Sequence, residues 1–228
     1  MLARGGLRRA RPTCGVAVLA VLASVISLAH PGEALGYNPS GAASYADAHW
    51  NVCGVPQQYQ CISNDCTAFV SESLHSGGAY PFDTNGTIPK GGTSDDTQWY
   101  MLYQPATGNY IWSSSFTFAQ NFRNYLLGTY PGGWDRGTKP GTSLDADSGV
   151  GTGDVLFYDW NPSWPDGGSE PYDHVNLVVG YGVSSDSYNG DYIDGHSNYR
   201  YHVFWTLRTY NAHVQTTVIN AVYVDTRN

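Results

Sequence analysis

Apolar residues along the first third of the chain recur with helical spacing. Ala42, Tyr45, Ala46, His49 and Trp50 follow the i, i+3, i+4, i+7, i+8 pattern and predict an amphipathic helix over residues 42–50, started near Ser40. Phe69, Val70 and Leu74 repeat that spacing in residues 64–78, where Asn64 or Asp65 offers an N-cap and Gly77-Gly78 a stop. Cys66 lies three and four residues before Phe69 and Val70 and shares their inward face. Residues 79–114 carry no lasting period and predict a long, loop-rich excursion. Its aromatics, Trp99, Tyr100, Tyr103, Tyr110 and Trp112, either line a groove for an extended substrate or pack the excursion onto the core. Phe118, Phe122, Tyr125 and Leu126 then mark a helix over residues 117–127, stopped by Gly128, and residues 129–153 read as a turn-rich connection.

Beyond residue 153 the pattern changes to β-branched and aromatic runs. Strands are predicted at 154–159, 174–181, 192–196, 200–207 and 214–225, the last alternating Val214, Thr216, Val218, Asn220, Val222 and Val224 on one face. Helices first and strands afterwards predict an α+β fold with N-terminal helices packed on an antiparallel β-sheet.

The first 36 residues stand apart. Arg4, Arg8, Arg9 and Arg11 precede an apolar run from Cys14 to Ala29, followed by Pro31 and Gly32, which is the form of a secretory signal peptide. Residues 37–228 are then expected to form a single domain that is secreted, to the extracellular space or the cell wall, with no membrane contact after cleavage. Losing the leader removes four of the 11 basic residues and one of the 19 acidic ones, leaving 7 against 18, a balance of −11. Such an acidic chain has no basic stripe to neutralise phosphates, so nucleic acid is not an expected partner.

The leader also carries away Cys14 and leaves Cys53, Cys61 and Cys66, an odd number in an oxidising compartment. Cys53 and Cys61 flank a Gly-Val-Pro turn, and a disulfide between them would contribute about 2.5 kcal/mol through loop closure. That pairing braces the approach to the helix and leaves Cys66 free. Pairing Cys61 with Cys66 is the alternative.

A thiol in the first turn of a helix feels the positive end of the helix dipole, which favours the thiolate. Hydrolysis through it needs a base and a third group that orients the base. His174 heads a strand in which it shares a face with Asn176 while Val175, Leu177 and Val179 point the other way. On the following strand Tyr192, Asp194 and His196 share a face, so His196, or alternatively Asp194, could orient His174. His49 is better explained as a packed, hydrogen-bonded histidine. Asp145 and Asp147 lack the spacing and the glutamate of a calcium loop and read as solvated. No metal or other cofactor is expected.

These pieces, in order, resemble a known family. Tyr45-Ala46, Asn64-Asp65-Cys66-Thr67-x-Phe69-Val70-Ser71, Gly77-Gly78, 153–160 (GDVLFYDW), Asp173-His174-Val175 and His196 look like the putative amidase domain, which is similar to the NlpC/P60 and CHAP branches of papain-like cysteine hydrolases. The resemblance covers most of residues 37–205 and implies a papain-like fold and hydrolysis of amide bonds, usually in peptidoglycan. It implies Cys66 as nucleophile, His174 as base and His196 as third residue. Ala68 and Glu72 depart from the family's common Asn and Gln without removing a catalytic atom; Glu72 reads as part of a solvated helix face. The backbone N–H of Cys66 is the natural oxyanion donor, with Gln60 or Tyr45 as a second. The expectation is thus a monomeric cysteine amidase or endopeptidase acting on peptidoglycan or peptide. An acyltransferase using the same thiol, and a non-catalytic carbohydrate- or wall-binding module, are the alternatives.

Overall fold

The computed structural model describes residues 36–53, 62–63, 65–84, 97–128, 133–162 and 172–224, all within the compact unit Ala34–Asn228. The expected leader, Gln60, Cys61 and Asn64 lie outside the described residues. No described helix is long and apolar enough to cross a membrane.

The first helix, α1 (Pro39–His49), begins earlier than the periodicity implies because Asn38 caps it, its Oδ1 accepting the Gly41 N–H at 3.0 Å, with Pro39 at the first helical position. The second, α2 (Cys66–Glu72), runs on into a π-helical turn, Ser73–Gly77. The paired glycines serve close approach rather than a left-handed stop. A Cβ on Gly41 would lie 2.2 Å from the Gly77 carbonyl oxygen, and one on Gly77 would lie 2.4 Å from the Gly41 oxygen. It is Ala79 that takes the positive φ, 57°.

The excursion is less irregular than its composition predicts. It contains a hairpin, β1 (Met101–Gln104) with β2 (Asn109–Trp112), and a bridge between Asp83 and Trp99. Trp99 and Tyr100 are fully buried. Trp99 meets the rings of Tyr80, Phe82, Phe116, Phe122 and Tyr125, and its indole N–H donates to Ser71 Oγ at 3.1 Å. Of the two roles open to these aromatics, packing is therefore the one Trp99 and Tyr100 fill. The predicted third helix is α4 (Ala119–Leu127), and a separate short helix, α3 (Ser114–Thr117), precedes it, the two divided by Phe118 in an extended conformation (φ −117°, ψ 131°).

Six strands form one antiparallel sheet: β3 (Trp134–Pro140), β4 (Val155–Asp159), β5 (His174–Val183), β6 (Asn189–Gly195), β7 (Arg200–Phe204) and β8 (Val218–Tyr223), in the order β3-β8-β4-β5-β6-β7. The expected α+β fold with helices and an antiparallel sheet is thus observed. Strand β3 falls where a connection was expected, because it is an exposed edge with a bulge, a positive-φ Gly137 and a terminal proline rather than an apolar run. The last strand is shorter than predicted, residues 212–216 forming turns.

Alternation along the strands divides the core. Val155, Phe157, Val175, Leu177 and Val179 join Phe69, Val70 and Leu74 of the helices, while Leu156, Tyr158, Val178, Ile193 and Ile219 pack with Phe204 and Trp205. Phe69 and Leu74 are at most 1% exposed, so truncating either to alanine would cost about 2–5 kcal/mol. This packing seats the first residue of α2 against the start of β5.

Candidate active site

Cys66 is the first residue of α2 and is 6% exposed. Three groups converge on its sulfur. The His174 imidazole hydrogen-bonds it, the backbone N–H of Val175 donates to it, and the Thr67 hydroxyl lies 3.8 Å away. Burial pushes the thiol up, but the charge and hydrogen bond of His174, with the help of Thr67 and Val175, outweigh it and leave the thiol below its ordinary value. A sulfur so placed carries thiolate character and has a proton acceptor in contact, the two requirements for attack on a carbonyl.

The helix start is free to serve this sulfur because Asp65 does not cap it. Asp65 occupies the N-cap position without a side-chain capping bond. Its carboxylate turns instead to the loop after β6, where Oδ2 meets His196 Nδ1 at 2.9 Å and Oδ1 accepts the Ser197 N–H at 3.2 Å. Among the described residues no acceptor takes the N–H groups of Cys66, Thr67 or Ala68, the first intrahelical bond being Phe69 N–H to the Asp65 carbonyl. A helix start with open N–H groups beside a sulfur can hold a developing negative charge.

His174 is steered by aromatic rings. Tyr158 is its cross-strand partner on β4, and the Trp160 ring stacks on the imidazole at 5.5 Å between centroids and 28° between planes. Among the described residues no side chain other than Cys66 hydrogen-bonds the imidazole.

The two residues expected at the third position make other contacts. Strand β6 pairs Asp194 with Leu177 of β5, so Asp194 shares the helix-facing side of the sheet and His174 the other. His196 lies on the helix side too, its ring stacked on Phe69 at 4.0 Å. Both of its ring nitrogens are engaged, Nδ1 with Asp65 and Nε2 with the His49 carbonyl at 2.9 Å. Among the described residues no hydrogen bond joins Asp194 or His196 to His174. The cause is register: parity within a strand says which residues share a face but not which face of the neighbour they match.

Tyr45 stands on α1 with its Cβ against Gly77 and its ring over His49 at 4.2 Å. His49 is packed and hydrogen-bonded as expected, Nδ1 lying 2.8 Å from the Tyr45 carbonyl oxygen. Cys53 is disulfide-bonded and Cys66 is free; the expected partner, Cys61, lies outside the described residues. The Cys53 sulfur approaches Asp65 Oδ2 to 3.4 Å, so the brace touches the residue beside the thiol.

Glu72 differs plainly from expectation. It is 6% exposed, and burial, with the charge of Asp65 after it, pushes its carboxyl up to about 8. The other residues missed from sequence were Trp160 and Asp65. Trp160 follows Tyr158 at strand parity, a signal that was present; Asp65 was visible only as a cap. The Asp145 and Asp147 loop is solvated as expected, held by Lys139 3.6 Å from the Asp145 carboxylate.

A family model described as putative amidase domain matches residues 36–219. The uncharacterized protein YhbB of Bacillus subtilis (strain 168) is 29% identical over 148 residues, which are 65% of this chain and 39% of that protein. This chain thus spans about two fifths of that relative's length. No solved structure matches. With a model match running from before the first helix into the last strand, the chain belongs to the putative amidase domain family.

Proposed function

We propose that the protein is an exported cysteine hydrolase that cleaves amide bonds of peptidoglycan or peptides. Cys66 attacks the amide carbonyl; His174 takes the thiol proton and returns it to the leaving amine; water then attacks the thioester, releasing the acid and restoring the thiol. The N–H groups at the start of α2 stabilise the oxyanion. The observation that carries this reading is the hydrogen-bonded pair of Cys66 with His174, which holds a buried thiol below its ordinary value. Export rests on the arginine-then-apolar leader and on the disulfide at Cys53.

In this mechanism Trp160 and Tyr158 fix the plane of the imidazole, the task often given to a third polar residue. His196 is a positioning residue that ties Asp65, and with it the nucleophile's helix, to the end of α1. The test is to treat the folded protein with a thiol alkylator at neutral pH, map the labelled cysteine, and assay wild type and Cys66→Ala on purified peptidoglycan with analysis of the released ends. Rapid labelling of Cys66 and loss of new amine termini in the variant are expected; equal release by both proteins would overturn the assignment. For His196→Gln, the expected result is reduced turnover with slower Cys66 labelling at every pH. A variant that shifts only the pH profile would show instead that His196 acts on His174.

A further inference from the structure

A second cluster lies on the helix-facing side of the sheet, where α1 crosses β6 and β7. Asp47 of α1, Asp194 of β6 and His202 of β7 bring one ligand atom each to within 4.8 Å of one another. Two irregularities aim them. The register of β6 against β7 shifts between Ile193 and Gly195, and His202 adopts a left-handed φ of 49° inside its strand. His202 Nε2 consequently meets Asp47 Oδ1 at 2.8 Å, and the His202 backbone N–H donates to Asp194 Oδ1 at 2.7 Å.

That leaves Asp194 Oδ2. The residue is fully buried, and this oxygen is buried with no hydrogen-bond donor. It lies against the Asp47 carboxylate, another acceptor, within the span of the cluster. Among the described residues the one ion pair to either carboxylate is that of Asp47 with His202. A buried carboxylate oxygen facing a second carboxylate without a donor costs free energy unless a proton or a cation lies between them.

We propose that Asp47, Asp194 and His202 bind a divalent transition-metal ion of the zinc type. One imidazole nitrogen and two carboxylate oxygens match the ligands zinc takes, with water completing a four-coordinate site. Calcium or magnesium would want six or more oxygen ligands, and an imidazole is a poor substitute for one. The ion would clamp α1 to β6 and β7, two residues from His49 and His196, and so brace the junction behind the thiol. This site is independent of the amidase chemistry.

The test uses the Cys66→Ala protein, so that the thiol cannot capture the ion. After treatment with a chelator and dialysis it is titrated with zinc, and bound metal and melting temperature are measured. The expected result is about one zinc per chain, a rise in melting temperature on loading, and loss of both in Asp47→Asn and in His202→Gln. A cobalt-loaded sample of the same parent should show the visible absorption band of a low-symmetry site, a readout needing no variant at the cluster. Failure of the parent to retain zinc, or equal retention by the parent and both variants, overturns the proposal. An Asp194→Asn protein more stable than a parent that takes no zinc also overturns it, because a shared proton would then account for the carboxylate pair.

Discussion

A cysteine that is 6% exposed ought to be a poor nucleophile, since burial disfavours the thiolate. At Cys66 the contacts of His174, Thr67 and Val175 reverse that tendency, and the reversal is measurable. In His174→Ala the imidazole's charge and hydrogen bond are lost while burial remains, so the thiol should rise above its ordinary value. Alkylation of Cys66 at pH 7 should slow by about tenfold for each unit of that rise, as followed by mass spectrometry; an unchanged rate would mean His174 does not set the thiol's state. Glu72 gives a second prediction at this scale. Its carboxyl is raised from 4.5 to about 8, so the folded state holds a proton that the unfolded chain has given up. The stability this contributes is fully present below the unfolded value and is lost as pH rises through about 8. Thermal melts should show wild type losing at most about 1.4 kcal/mol per pH unit over that window from this group, and Glu72→Gln should flatten the loss. A variant with the same pH slope as wild type would contradict the buried, protonated carboxyl.

Among the elements, the crossing of α1 over the helix that follows Cys66 is held by two backbones rather than by side chains. A methyl at Gly77 would meet the Gly41 oxygen and Tyr45 Cβ at 2.4 Å. Gly77→Ala should therefore cost about 1–3 kcal/mol or more, seen as a lower urea midpoint with an unchanged slope; a neutral effect would show that the crossing is looser than described. The same contact shows the limit of what was legible. Helical spacing revealed both helices and the inward side of Cys66, and Gly77-Gly78 stood out, but local propensity offers only a stop signal for such a pair. That Ala79 takes the left-handed turn while the glycines admit a partner helix is tertiary information. Strand β3 was illegible for a related reason: an edge strand buries little, so WDRGTKP at residues 134–140 carries no apolar alternation. That Cys66 begins a helix and His174 heads a strand was legible because each depends on position within one element. The third position depends on the register of β5 against β6, and a single-residue slip exchanges the faces.

Across the whole molecule, the odd cysteine count was read correctly as far as Cys53 being bonded and Cys66 free. Removing the bond with Cys53→Ser should lower stability by about 2.5 kcal/mol on the loop-closure estimate. Denaturant unfolding of oxidised and variant protein would measure it, and equal midpoints would show that the bond does not constrain the unfolded chain. Because the Cys53 sulfur also touches Asp65, the variant should label more slowly at Cys66 under native conditions.

One more consequence follows from Val175. The Cys66 sulfur meets two consecutive residues of β5, one through the His174 side chain and one through the Val175 backbone N–H. Helix α2 and strand β5 are therefore in chemical registration at this point, and lifting the helix from the sheet by even a small fraction of its diameter removes both bonds at once. The rate at which Cys66 reacts is thus a gauge of that docking. Under gradual denaturation it should collapse before tryptophan fluorescence reports that the core around Trp99 has opened, so the thiol serves as an early alarm for the molecule's mechanical integrity.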